Sequence, residues 1–391
     1  MNTPRFHRRK KKLKVIVVAG ARPNFMKVAP LIRQIRLMKA RIELKFVHTG
    51  QHYDRNMSGI FFEELGMPRP DMHLGVGSGT HGEQTAGVLL AFEKILFSFR
   101  PDVVVVVGDV NSTLACALAA SKLGIKIAHI EAGLRSFDRS MPEEINRIMT
   151  DKISDFLFTP SRDADRNLIK EGVARSKIFF VGNIMADSLL AHRAQAQSLH
   201  AEKTFGLTKN NYILVTAHRP ATVDTKETLH KLLQGLSQLS RNQPVVFPMH
   251  PRTKSTLASF GLTGLVTLAS SGNTPYVRGK VLALEPLGYL PFLSLMASAS
   301  FVITDSGGIQ EETTILKVPC LTFRETTERP ITVTQGTNTV LGLNQNRLLK
   351  ESKKILNGTY KKTGRIPELW DGRTAQRILR ILLKQNYSYK S

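Results

Sequence analysis

Cysteine is nearly absent from this 391-residue chain. The two present, Cys116 and Cys320, stand far apart in apolar surroundings and form no C-x-x-C pair. That excludes a disulfide framework and a thiolate metal site, and it fits a reducing compartment. Aromatic residues are sparse at 7%, too few to interleave with basic residues as a stacking surface for nucleic acid requires. No apolar stretch approaches the roughly 20 residues needed to span a bilayer. Acidic residues fall short of basic ones, 31 against 55, which leaves a net charge of +24. An excess of that size points toward polyanionic partners, phosphorylated substrates or a membrane surface. Part of it is local, because "RFHRRKKKLK" at residues 5–14 is a run of like charge with almost no apolar content. Residues 1–13 therefore read as a disordered basic arm, solvated rather than a nucleic-acid contact. Together with "VIVVAG" the arm imitates a secretory signal, but that apolar part is shorter than the roughly 7 to 15 residues of an h-region. A cytoplasmic protein is expected.

What is abundant is alternation. "KVIVVAG", "LKFVHTG", "DVVVVVGD", "IKIAHIEAG" and "DFLFTP" are short apolar runs, each followed by a stretch of helical periodicity such as "STLACALAASKLG". A second series, "NYILVTAH", "PVVFPMH", "KVLALEP", "FVITDSGG" and "VPCLTFRE", follows a polar, Ala/Gln-rich crossing near residues 183–208. The pattern predicts an α/β protein of two doubly wound, Rossmann-like domains facing a cleft, residues 14–183 and 184–372. In such sheets ligands bind beyond the carboxyl ends of the strands.

The residues after the apolar runs are the candidates for chemistry. "GARPNFMK" offers Arg22 and Lys27 at a strand-to-helix turn suited to an anion. "HTGQHYD" brings His48, Gln51 and His52 to the same edge, with no third ligand nearby to make a metal site. Asp109 ends the five-valine strand, Glu131 ends "IAHIE", and Glu143 lies in "PEEINR". Capping of the next helix is the competing explanation for Asp109, and an ordinary acidic helix start for Glu143. Three carboxylates on one edge are the usual equipment for proton transfer. "GVGSGTHG" satisfies G-x-G-x-x-G, but it follows a Pro-rich stretch rather than a strand and reads as a loop.

In the second half, His218 and Arg219 in "VTAHR" and His250 in "PMHPR" stand at strand ends. Ser306, Gly307 and Gly308 open a helix whose N–H groups suit a diphosphate, and Glu312 is placed to accept hydrogen bonds from a diol. A nucleoside diphosphate satisfies both requirements.

With these motifs assembled, the chain closely resembles the non-hydrolysing UDP-N-acetylglucosamine 2-epimerases, through "GARPNFMK", "HTGQHYD", "HIEAGLRS", "PEEINR", "AHR", "TDSGGIQEE", "TERP" and "LWDG". The resemblance implies a GT-B fold with the last helix, residues 373–391, packing back on the first domain, no cofactor, and a homodimer. It places UDP on Arg22, His218, Ser306, Gly307, Gly308 and Glu312, with Phe292 near the uracil. It places Asp109, Glu131 and Glu143 about the sugar, with His218 also important to activity. Lys27, Gln51, His52, Arg147, Arg219, His250 and Arg329 complete the implied substrate-binding set. The expected reaction is reversible C2 epimerisation of UDP-GlcNAc to UDP-ManNAc. The alternatives are a hydrolysing 2-epimerase releasing ManNAc, a 2-epimerase of a UDP-diacetamido sugar, and a GT-B glycosyltransferase. Thr222 in "AHRPATVD" stands where many relatives carry Asn.

Overall fold

The computed structural model describes residues 11–20, 22–50, 62–269, 276–360, 362 and 364–388. The chain divides into two compact units. The first holds the chain up to Leu134, Asp138–Ile184 and everything from Arg373 on; the second holds Arg135–Phe137 and Met185–Gly372.

Each unit contains one seven-stranded sheet, parallel throughout. In the first, β1 (Leu13–Ala19), β2 (Ile42–His48), β3 (Met72–His73), β4 (Val103–Val107), β5 (Lys126–Ile130), β6 (Phe156–Thr159) and β7 (Ile178–Phe180) lie in the order β3-β2-β1-β4-β5-β6-β7. In the second, β8 (Ile213–Thr216), β9 (Val245–Pro248), β10 (Val266–Leu268), β11 (Val281–Leu284), β12 (Phe301–Thr304), β13 (Cys320–Thr322) and β14 (Asn338–Val340) lie in the order β10-β11-β9-β8-β12-β13-β14.

The cores explain the unbroken apolar runs. All five valines of β4 are buried, because helices cover both faces of a parallel sheet and leave no polar side to alternate with. Helix Asn111–Lys122 comes close over its sheet by presenting Ala115, Cys116, Ala117, Ala119 and Ala120, all buried. In the second unit, helix Lys226–Leu239 places Leu229, Leu232, Leu233 and Leu236 on one stripe against Ile213, Val215, Val245 and Phe247, the spacing of an amphipathic helix.

The crossing segment forms helix Ile184–Ser198. Helix Thr374–Ser388 packs against helix Arg22–Leu37 of the first unit and buries Ile378, Leu379, Leu382 and Leu383. β1 begins at Leu13, which pairs with Ile42, and residues 1–10 of the expected arm lie outside the described ones. "GVGSGT" is a loop that ends in a capping box, where Thr80 and Glu83 start helix His81–Phe99. Among the described residues no helix is long and apolar enough to cross a membrane.

Candidate active site

Where a doubly wound sheet reverses direction, the loops leaving its two central strands diverge and open a crevice. In the first unit this point lies between β1 and β4. After β1, helix Arg22–Leu37 brings Asn24 and Lys27 to the end of β4, where Asn24 Nδ2 donates to Val107 O at 3.1 Å. Gly108 has φ +72°, a conformation that favours glycine, and a Cβ there would stand 3.2 Å from Lys27 Nζ and 3.4 Å from Asn24 Nδ2.

Lys27 Nζ lies 2.6 Å from Glu131 Oε2, with the side chains only 11% and 3% exposed. Glu131 adopts φ +70°, a left-handed conformation that costs a non-glycine residue about 1–2 kcal/mol. Asp109, 25% exposed at its side chain, accepts from Arg147 Nη2 at 2.8 Å and Nε at 3.1 Å. Arg147 also pairs with Glu144, and Asn146 Nδ2 donates to Asp109 O at 2.9 Å. Capping does not account for Asp109, because the N-cap of helix Asn111–Lys122 is Val110. Glu143, half-buried in the first turn of helix Pro142–Ile153, has no hydrogen-bond or ion-pair partner among the described residues. Gln51 and His52 lie outside the described residues, and so does the Arg22 side chain. His48 Nδ1 meets His73 Nε2 at 2.7 Å, and no group of three His, Cys, Asp or Glu among the described residues is placed to hold a metal.

In the second unit the reversal lies between β8 and β12. Asp305 directly follows β12, and its Oδ2 accepts His218 N at 2.9 Å and Arg219 N at 2.8 Å, which ties the two strand ends together. The His218 side chain stays 45% exposed, with Nδ1 3.4 Å from Asp305 Oδ1. Its ring centroid lies 6.3 Å from that of His250, whose Nδ1 accepts Arg252 N and so caps helix Pro251–Ser259. Arg219 and Arg324 converge on Glu328 at 3.2 and 2.9 Å. Phe292 is half-buried on helix Tyr289–Ser298.

Ser306 is the N-cap of helix Gly307–Leu316, and no side chain caps that end. Its first N–H groups and the positive end of the helix dipole are therefore available to an anion. Two carboxylates one turn further on do not oppose this. Glu311 Oε1 lies 2.6 Å from Arg329 Nε, a buried ion pair in which the two groups touch off the hydrogen-bond line. Glu312, buried beside Tyr289, whose hydroxyl donates to Oε1 at 3.1 Å, has its pKa pushed up to about 8. Burial is the main cause; Tyr289 lowers the value and the Glu311 charge raises it.

A stability signature follows. The unfolded chain gives up the Glu312 proton near the ordinary value of 4.5, whereas the folded chain keeps it to about 8. Between these the folded state binds the extra proton, so its contribution falls as pH rises, by up to about 1.4 kcal/mol per pH unit. Glu312→Gln cannot ionise. Its stability relative to wild type should rise steadily from pH 5 to pH 8 in thermal melts, and a constant difference would contradict the assignment.

The family model for UDP-N-acetylglucosamine 2-epimerase matches residues 36–383. The chain belongs to the UDP-N-acetylglucosamine 2-epimerase family. It is 44% identical to the UDP-N-acetylglucosamine 2-epimerase of Methanocaldococcus jannaschii over 96% of this chain and all of that one. The crystal structure of the M. jannaschii UDP-GlcNAc 2-epimerase in complex with UDP-GlcNAc and UDP superposes with a TM-score of 0.84 at 43% identity, covering 95% of this chain and 99% of that one. The UDP-2,3-diacetamido-2,3-dideoxy-D-glucuronate 2-epimerase of Pseudomonas aeruginosa is 40% identical over 95% of this chain and its own full length. Two Rossmann-like units in succession give the family its GT-B-type fold.

Several side chains that shape these sites have roles that their local sequence does not reveal. Asn24, Glu144 and Asn146 act on strand ends or loops more than 30 residues away, or through Arg147. Tyr289 reaches Glu312 across 23 residues. Asp305 does leave a signal, since an aspartate directly after the buried run Phe301–Thr304 needs a partner.

Proposed function

We propose that this chain interconverts UDP-N-acetylglucosamine and UDP-N-acetylmannosamine. The observation that carries the reading is the presence, in one chain, of two kinds of strand end. One unit presents Asp109, Glu131 and Glu143; the other presents the uncapped helix start at Ser306–Gly307–Gly308 beside His218 and Arg219. The C2 hydrogen of an N-acetylhexosamine has no adjacent carbonyl and is weakly acidic. Breaking the C1–O bond to UDP first makes C1 oxocarbenium-like, which acidifies that hydrogen. A carboxylate then takes the C2 proton, leaving a glycal with a C1=C2 double bond and free UDP. Protonation of C2 from the opposite face, with return of the UDP oxygen to C1, gives the epimer.

In this reading the N–H groups of Gly307 and Gly308, with Arg22, His218 and Arg219, receive the charge developing on UDP. Glu312 holds the ribose diol and Phe292 lies along the uracil. Glu312 is neutral, and Glu311 and Glu328 are paired with arginines, which limits the negative charge facing the diphosphate. Lys27 pairs with Glu131 and Arg147 with Asp109, which fixes both carboxylates in place. Arg147 and Arg329 thus act on carboxylates of the chain itself. Gln51, His52 and His250 belong to the substrate set by resemblance.

The 40% identity to the P. aeruginosa enzyme makes a UDP-diacetamido sugar the second substrate to assay. Incubation with UDP-GlcNAc in heavy water should place deuterium at C2 of the recovered nucleotide sugar. Unlabelled sugar after equilibration sinks the elimination route, and free ManNAc as the main product favours hydrolysis. The reading includes a homodimer, to be seen in light scattering as twice the mass of one chain. It also includes a cytoplasmic location, which the buried thiols Cys116 and Cys320 suit.

A further inference from the structure

His129 and Asp151 take no part in the chemistry above, yet both side chains are fully buried between its two carboxylate-bearing turns. His129 lies in β5, two residues before Glu131. Its Nε2 is 2.9 Å from the carbonyl oxygen of Gly108, the residue before Asp109, and its Nδ1 is 2.7 Å from Asp151 Oδ1. The carbonyl oxygen can only accept, so Nε2 donates to it, and Nδ1 and Asp151 Oδ1 share one hydrogen bond. Asp151 Oδ2 in turn accepts Gly133 N at 3.1 Å, and Asn167 Nδ2 donates to Gly133 O at 3.0 Å. Gly133 closes the turn that begins with the left-handed Glu131; its φ is +79°, and a Cβ there would stand 2.5 Å from Ala164 O.

One chain of hydrogen bonds therefore runs from the peptide carrying Asp109, through His129 and Asp151, to the turn carrying Glu131. Asp151 stands one helical turn beyond Arg147, which grips the Asp109 carboxylate, and two turns beyond Glu143, on the same helix Pro142–Ile153. The geometry points to His129 and Asp151 as positioning residues that hold Asp109 and Glu131 in fixed relation during epimerisation. This rests on the reaction proposed above. Stability is a weaker account of the pair, because an apolar pair of similar volume commonly serves a core as well as a buried ion pair does. What an apolar pair cannot supply is directed bonds that end on both turns. Displacing a reacting group by about 1 Å costs on the order of 10²-fold in rate.

The test uses the full chain and four variants, His129→Ala, His129→Gln, Asp151→Asn and the double variant His129→Leu/Asp151→Leu, which leaves no unpaired charge. For each, kcat and KM for UDP-GlcNAc, UDP affinity and Tm are measured. The expected result is a fall in kcat of about 10²-fold for His129→Ala, Asp151→Asn and the double variant, with KM and UDP affinity within about threefold of wild type. Gln places an amide N–H near the Nε2 position and should recover at least about tenfold over His129→Ala. A double variant that turns over at the wild-type rate overturns the inference alone. Loss of fold in every variant assigns the pair to stability and also overturns it. A wild-type chain that binds UDP but incorporates no deuterium removes the epimerase reading, and the inference with it.

Discussion

Glu143→Gln is expected to lower kcat by about 10²-fold or more, the usual contribution of a positioned acid or base, while leaving Tm and UDP affinity unchanged. The reason lies in its surroundings. Glu143 is half-buried and engages no other described residue, so its amide removes a titrating group without orphaning a partner. Asp109→Asn should lose a similar factor and remain folded, because an amide oxygen still accepts from Arg147. Glu131→Gln is different. Its carboxylate is the partner of the nearly buried Lys27 ammonium, and removing one member of a buried pair costs up to about 3–5 kcal/mol. This variant should lose both turnover and stability. Adding Lys27→Met should restore most of the Tm and none of the turnover, since no charge is then left without its counterpart. Near-normal kcat in all three single variants would reduce the carboxylates to packing and pairing roles and remove the basis of the proposed mechanism.

The ten apolar runs visible in the sequence are the interior strands of the two sheets. The four strands it hides, β3, β7, β10 and β14, are the four sheet edges. Each has two or three residues and pairs on one side only, and none is buried along its whole length. A strand that short shows no period, and one that is half covered needs no continuous apolar run. β4, with five buried valines, is the opposite case.

The same physics divides the residues of the site. Asp109, Glu131 and His218 were legible because topology assigns a place to whatever follows a buried strand. Their supports were not, because a hydrogen bond from Asn24 to Val107 spans 83 residues and one from His218 N to Asp305 spans 87. Nothing local in either segment encodes the other. Glu312 was legible as a residue and not as a proton carrier, because its raised pKa depends on burial that only the packed helix supplies.

The start of helix Gly307–Leu316 offers the sharpest separation of ligand space from protein space. A Cβ on Gly307 would stand 2.4 Å from Glu328 Oε1, and Glu328 cannot withdraw because Arg219 and Arg324 hold it. Gly307→Ala should therefore disturb the arginine pair, lower Tm and weaken UDP binding together. At Gly308 the nearest atom to an added Cβ is Met185 Cε at 4.0 Å, so the methyl group meets no protein. Alanine is also the better helix former by about 1 kcal/mol, and Gly308→Ala should keep or raise Tm. If the diphosphate rests on these N–H groups, that methyl occupies its place. Calorimetric titration with UDP should then show affinity weakened at least about tenfold, with kcat/KM falling in step, in a protein as stable as wild type. Unchanged UDP affinity in Gly308→Ala would place the diphosphate elsewhere and leave this helix start without its assigned ligand.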